Sequence, residues 1–305
     1  MKKLISKKNI SVILFLMFFA LSNLQLLAQK APAEFTFHGA GGVSLYAFQP
    51  AVKASSLGYN ADFGLGFNGF FSRQFGIHIG AGIGYFNVTS KVAKLETITY
   101  GKLDQVNGLY YDLYTTLSGY SEIHQSLYVN IPVMFIFQTA QNSQHWNRRQ
   151  AQKPSFYAMG GVKVLLLFNN KYEAGVKSLF NKAYYTALGS WAGTQTFAGY
   201  GNFDNHGKGY SNSGKITDFG IMAAFAAEVG VKWHVSKNAA IYTGAYFDCG
   251  LHDPIKDSRQ PYEKYISEED LQDDLTIMKF SNRANLMTAG IRVRFSFSKR
   301  QRGYY

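Results

Sequence analysis

The stretch 218–251, DFGIMAAFAAEVGVKWHVSKNAAIYTGAYFDCGL, changes character at almost every residue. Phe219, Ile221, Ala223, Phe225, Ala227, Val229, Val231 and Trp233 share one parity, and Asp218, Gly220, Met222, Ala224, Ala226, Glu228, Gly230, Lys232 and His234 share the other. Side chains alternate faces along a strand, so the first set makes an apolar face and the second a small or polar one. After a tight turn at Ser236-Lys237-Asn238 the alternation resumes. Ala239, Ile241, Thr243, Ala245, Phe247 and Leu251 then oppose Tyr242, Gly244, Tyr246, Asp248 and Gly250. The pattern predicts a long amphipathic hairpin. A strand in a soluble domain needs about 5 or 6 residues, whereas a tilted strand crossing a bilayer needs about 9 to 11, so the length points to a membrane.

One amphipathic strand also suits any half-buried sheet, and the inference gains force only by recurrence. Residues 34–48 alternate Phe35, Phe37, Val43 and Leu45 with Thr36, His38, Ser44 and Tyr46. Further strands are predicted from Tyr59 to Phe71, Phe75 to Phe86, Ile123 to Phe137, Ser155 to Phe168 and Asn285 to Ser298. With the two arms of the hairpin the total is eight. Long connections at 88–119, 169–215 and 252–283 alternate with short ones, the first connection through Pro50 being the exception. Even strand number, short periplasmic turns and longer external loops define an outer-membrane barrel. The fold expected is therefore all-β, an eight-stranded antiparallel transmembrane β-barrel with long external loops. Phe71, Phe75, Phe137, Phe156, Trp233, Phe295 and Phe297 fall near the expected periplasmic ends, as an interfacial girdle requires. Pro132 removes a ladder donor, so a bulge or local irregularity is expected there.

Residues 1–28 have the three parts of a secretory signal: Lys2, Lys3, Lys7 and Lys8, an apolar run from Ile10 to Leu21, and Ala28 before Gln29. They are assigned as a signal peptide, with 29–305 as one barrel domain. Without the four signal lysines the formal charge falls from +12 to +8, with 27 basic residues against 19 acidic. Export and the lack of a concentrated basic stripe argue against nucleic-acid binding. The single Cys249 excludes an intramolecular disulfide framework. Gly80-Ala81-Gly82-Ile83-Gly84 continues a strand face, and no helix follows it to receive a phosphate.

Four segments carry a resemblance: Tyr128-Val129-Asn130-Ile131-Pro132-Val133, Phe156-Tyr157-Ala158-Met159-Gly160-Gly161-Val162, Asp218-Phe219-Gly220, and Gly290-Ile291-Arg292-Val293-Arg294-Phe295. In them the chain resembles the PorT-like outer-membrane β-barrel proteins of Gram-negative bacteria. The motifs are structural, so the resemblance implies a barrel more than an activity. One relative is associated with secretion of proteins across the outer membrane.

Parity places Asp62, Lys163, Asp218, Glu228, Lys232, Asp248, Arg292 and Arg294 inside the barrel. An eight-stranded barrel is just wide enough for side chains to fill it, and buried charges need partners. A structural ion-pair network is expected, centred on Glu228 with Arg292, Arg294 or Lys163. His38, His78, His124 and His234 share the inward parity but come from separate strands without ligand spacing, so neither metal nor cofactor is predicted. No Gly-x-Ser-x-Gly elbow occurs. The acidic run Glu268, Glu269, Asp270, Asp273 and Asp274 lacks the order of an EF-hand and reads as a solvated, partly helical loop. The loop 169–215, with Tyr184, Tyr185, Trp191, Tyr200 and Tyr210 among glycines and asparagines, is the candidate binding surface, and self-packing as a cap over the barrel is the equal alternative.

The expected protein is a non-enzymatic, monomeric barrel of a Gram-negative outer membrane. Outer-membrane lipid and lipopolysaccharide surround it, and a protein partner at the external loops or periplasmic rim is possible on this reading. A narrow channel or secretion-machinery component is the alternative, and a rim-active enzyme a third.

Overall fold

The computed structural model describes residues 33–48, 54–104, 108–139, 154–191, 196–197, 201–202, 210–215, 221–236, 238–251 and 284–298. In chain order the strands are β1 (Ala33–Phe48), β2 (Ala54–Phe70), β3 (Phe75–Leu103), β4 (Tyr110–Gln138), β5 (Ser155–Val176), β6 (Ser178–Tyr185), β7 (Ser190–Trp191), β8 (Thr196–Phe197), β9 (Gly201–Asn202), β10 (Tyr210–Lys215), β11 (Ile221–His234), β12 (Ala239–Gly250) and β13 (Ala284–Ser298). Eight of these close a ring: β5, β11, β12, β13, β1, β2, β3, β4 and back to β5. Every pair in the ring is antiparallel. The first and last strands meet along their whole length, from Glu34 opposite Ser298 to Phe48 opposite Ala284. The fold is a closed, eight-stranded antiparallel barrel.

Its burial is inverted relative to a soluble protein. Phe63, Phe135, Val229 and Ile291 are more than half exposed, while Glu228, Arg292, Arg294, Lys163 and Asp62 are almost inaccessible. Large apolar residues outside and charges inside suit a solvent that is itself apolar. Along β4 the outward positions from Phe137 to Leu127 are all apolar. At about 3.4 Å per residue and a tilt of about 40° this band is about 25 Å high, the height of an outer-membrane apolar belt. Phe71, Phe75, Phe137, Phe156, Trp233, Phe295 and Phe297 are all exposed at the end that carries the short turns, and Phe75 and Phe137 are register partners with ring centroids 5.4 Å apart.

Inside, glycines make room for rings. A Cβ at Gly84 would lie 2.2 Å from Cζ of Tyr128, and one at Gly244 would lie 2.4 Å from the Tyr157 hydroxyl. At Gly160, on the outward face, it would meet nothing within 4 Å. Gly84→Val is therefore expected to cost about 1–3 kcal/mol through overpacking, read as a fall in the urea midpoint of the detergent-folded protein. Gly160→Val should leave that midpoint in place, and equal shifts for the two would refute the packing account.

The segment 88–119, expected to be a connection, is not one. β3 and β4 continue through it as paired strands as far as Leu103 opposite Tyr110. The expected loop 169–215 is likewise largely structured among its described residues: β5 runs on to Val176, β6 pairs with the outer half of β4, and β10 pairs with β5. The sheet thus extends beyond the apolar belt on one side of the barrel. At Pro132 the ladder to β3 is interrupted, with Gly80 and Ala81 lacking register partners there, but no residue is inserted: the register is the same on both sides, with Ile79 opposite Val133 and Gly82 opposite Asn130. The register shifts lie between Gln125 and Leu127 against β5, and between Thr99 and Lys102 against β4. The signal segment, the acidic run 268–274, Asp218 and Tyr200 fall outside the described residues.

Candidate functional site

Glu228 is carried on β11 facing inward, and Arg292 and Arg294 face inward on β13, two strands away. What lets them meet is the strand between: Gly244 of β12 stands directly opposite Arg292 and offers no side chain to block the reach. Arg292 donates to one Glu228 oxygen at 2.8 Å and Arg294 to the same oxygen at 2.9 Å, while the Tyr157 hydroxyl donates to the other at 2.7 Å. The Arg292 guanidinium also lies over the Tyr246 ring, 4.7 Å from its centroid.

Lys163 does not join this centre. Its ammonium bonds Asp248 at 2.5 Å, and Thr288 donates to the same carboxylate. Lys232 pairs with Glu34 at 2.6 Å, and the Tyr242 hydroxyl donates to the other Glu34 oxygen at 2.6 Å. Asp62 accepts from Asn130 at 2.5 Å and faces His38 Nε2 at 2.9 Å. Four carboxylates (Glu34, Asp62, Glu228, Asp248) thus stand among four basic side chains (Lys163, Lys232, Arg292, Arg294) in this part of the lumen. Buried pairs of this kind add little net stability over an apolar core, but removing one partner strands the other.

Two apolar clusters pack among the charges. Phe70, Met134, Ile136, Met159, Ala226 and Ala240 pack towards the short-turn end, and Tyr46, Phe86, Val88, Leu165, Met222 and Leu286 towards the opposite end. Beyond the second cluster Glu122 bonds both Tyr120 and His124. His78 bonds Asn68 at 2.7 Å, and His234 sits near the rim of β11, so the four inward histidines are dispersed. Among the described residues no three His, Cys, Asp or Glu side chains gather as a metal site.

Outside the belt, the extension carries its own small core of Tyr111, Leu113, Ala183 and Tyr185 on the inner face. Parity switches at Gly119, whose positive φ of 66° admits a glycine readily and whose Cβ would strike Lys177. Tyr114 and Tyr184 consequently face outward, where both pack edge-on to Trp191 at centroid distances of 4.9 and 5.1 Å. Lys182 stands over the same indole at 5.9 Å, and Trp191 is half exposed. Of the binding-loop residues expected from sequence, Tyr184 and Trp191 are together on this face, Tyr185 is buried beneath it with its hydroxyl donating to Asp104 at 2.7 Å, and Tyr210 starts β10.

Sequence reasoning missed Glu34, because it sits at a strand start where parity is hard to fix, and Tyr157 and Tyr242, whose hydroxyls complete the carboxylate shells. It also missed Tyr114, which lay in a segment read as a connection. Aromatic residues at inward parity beside charges were the available signal for the two lumen tyrosines.

No family model matches the chain, and no curated protein matches it. Among solved structures, similar chains include Neisserial surface protein A, with a TM-score of 0.28, 10% identity, and coverage of 86% of this chain and 97% of that one. The attachment invasion locus protein Ail of Yersinia pestis, solved with the heparin analogue sucrose octasulfate, gives a TM-score of 0.23, 10% identity and coverage of 87% and 99%. The outer membrane protease OmpT of Escherichia coli gives 0.25, 9%, and 88% and 97%. The assignment of the fold rests on the closed hydrogen-bonded ring.

Proposed function

We propose that this chain is a non-enzymatic integral barrel of a Gram-negative outer membrane, exported by residues 1–28, whose lumen is a structural plug and whose working surface is the sheet extension beyond the membrane. The observation that carries the reading is the combination of an ion-paired, aromatic-filled interior with an outward platform of Tyr114, Tyr184 and Trp191 above the apolar belt. Partly exposed aromatic rings carried on a sheet, with Trp191 the most open, give contact area at little entropic cost, as binding surfaces require. The motifs that resemble PorT-like proteins support membership of that group, and a place beside secretion machinery is the variant of this reading in which the platform binds another protein of the export pathway.

Crosslinked affinity purification from native outer membrane tests the platform. The wild type is expected to retain a defined partner, and a Tyr184→Ala/Trp191→Ala variant to retain at least about tenfold less, the cost of two aromatic anchors. An unchanged partner set would refute the assignment. In planar bilayers the same protein is expected to show no stepwise conductance, and reproducible openings that change when Glu228 is neutralised would make it a channel.

A further inference from the structure

We infer that the outward recess formed by β4, β5 and β10, where the apolar belt ends, binds the phosphate of an outer-leaflet glycolipid through Lys171 and Lys215. The inference rests on the membrane reading above and gives that membrane a specific site. Leu127 on β4 and Phe168 on β5 are register partners that end the unbroken outward apolar run, and further out only Ile123 of β4, opposite Glu173, is apolar among the described outward residues of this strand pair up to Glu173. The next outward pair is Gln125 with Lys171, so polarity changes abruptly at this level.

The change is produced by a bulge. Asn169 and Asn170 of β5 stand against the single Ser126 of β4, and Asn169 has a positive φ of 54°. Asparagine is among the few non-glycine residues that enter this region readily. Without the extra residue, strict alternation from Phe168 would turn Lys171 into the lumen. With it, Lys171 is exposed on the outer face and Tyr172 is buried. Bulges commonly re-aim a side chain at a functional edge, and this one brings a cation out at the membrane boundary.

There Lys171 meets a second cation. Its register partner on β10 is Lys215. Like charges directly opposite in an antiparallel pair repel, and an anion shared between the two ammonium groups reverses the sign of the interaction. The two lysines line a recess of about 340 Å³ together with Gln125, Ser213 and Glu173. Gln125 and Ser213 supply neutral donors. Glu173 offsets one lysine, which leaves the recess net positive. The apolar wall of Phe168 and Leu127 directly below favours an anion that carries acyl chains over a free one, since the chains lie on the belt while the phosphate enters the recess.

The test uses the full chain in non-denaturing detergent, titrated with phosphorylated lipid A, with dephosphorylated lipid A and with inorganic phosphate, and read by native mass spectrometry. A lysine beside an anionic membrane surface contributes about fivefold in affinity, so Lys171→Gln/Lys215→Gln should bind phosphorylated lipid A about 30-fold more weakly than wild type. Lys94→Gln, further out on β3 and paired with Glu96, should bind as wild type does. Dephosphorylated lipid A should bind both proteins at the weak level, and equimolar inorganic phosphate should not displace the lipid. Wild-type affinity in the double variant, or equal binding of the dephosphorylated lipid, would overturn the site. Displacement by inorganic phosphate would overturn the glycolipid as its ligand. A chain that fractionates as soluble and shows no heat-modifiable band would fail the membrane reading itself, a result separate from loss of the lysine effect in a folded barrel.

Discussion

Glu228→Gln is expected to lower the stability of the folded barrel by about 3–5 kcal/mol, the cost of leaving buried charges without their partner. One carboxylate oxygen satisfies both Arg292 and Arg294, and the other accepts from Tyr157. A neutral amide keeps the shape and removes the charge, so the loss is electrostatic and not steric. The urea midpoint of unfolding in detergent micelles, corrected by its slope, gives the number. Converting Arg292 and Arg294 to methionine in the same chain should recover most of it, because a matched apolar interior tolerates what a stranded cation does not. A shift below about 1 kcal/mol for the single variant would mean that water reaches the pair, and the plug would have to be abandoned.

The next residue along the chain responds to the opposite rule. Val229 faces outward near the middle of the belt, between Ala158 and Ala245, and Val229→Arg is expected to cost about 2–4 kcal/mol, as a cation on the lipid face near the bilayer midplane does. In cells this should appear as loss of the heat-modifiable folded band from the outer-membrane fraction, while Val229→Leu keeps it. If the arginine variant assembled normally and ran as a soluble protein, the exterior of the barrel would not be facing lipid. Adjacent positions that demand a charge and forbid one are a sharper signature of a membrane barrel than either alone.

The part of the chain that crosses the belt was legible because only there do the two faces meet different surroundings. Ile221 to Trp233 and Phe75 to Tyr85 alternate cleanly for that reason, and parity alone brought Glu228, Arg292 and Arg294 to one interior. Above the belt the outer face of β3 loses its apolar surroundings, so exposed Lys91, Lys94 and Glu96 break the alternation although Val88 and Val92 stay buried on the inner face. The strands went on while their signal stopped. The allocation of Lys163 to Asp248 rather than to Glu228 depends on stagger between neighbouring strands, which hydrophobic pattern does not encode. The bulge at Asn169 changes the side on which Lys171 emerges, and one extra residue leaves no compositional trace.

The seam between β1 and β13 has a consequence for how the molecule comes into being. Fifteen register pairs join residues 34–48 to residues 284–298, so the most distant parts of the chain must find each other before any edge disappears. Until then β1 offers an unpaired row of amides and carbonyls, a template for any passing strand. Local hairpins such as β11–β12 can form early, but the circle is completed by its least local contact, which is the slow step in proteins dominated by distant pairings. Assembly therefore has a vulnerable interval whose length is set by the 235 positions between Phe48 and Ala284, and a factor that shields one free edge during that interval would shorten the risk without touching the finished structure.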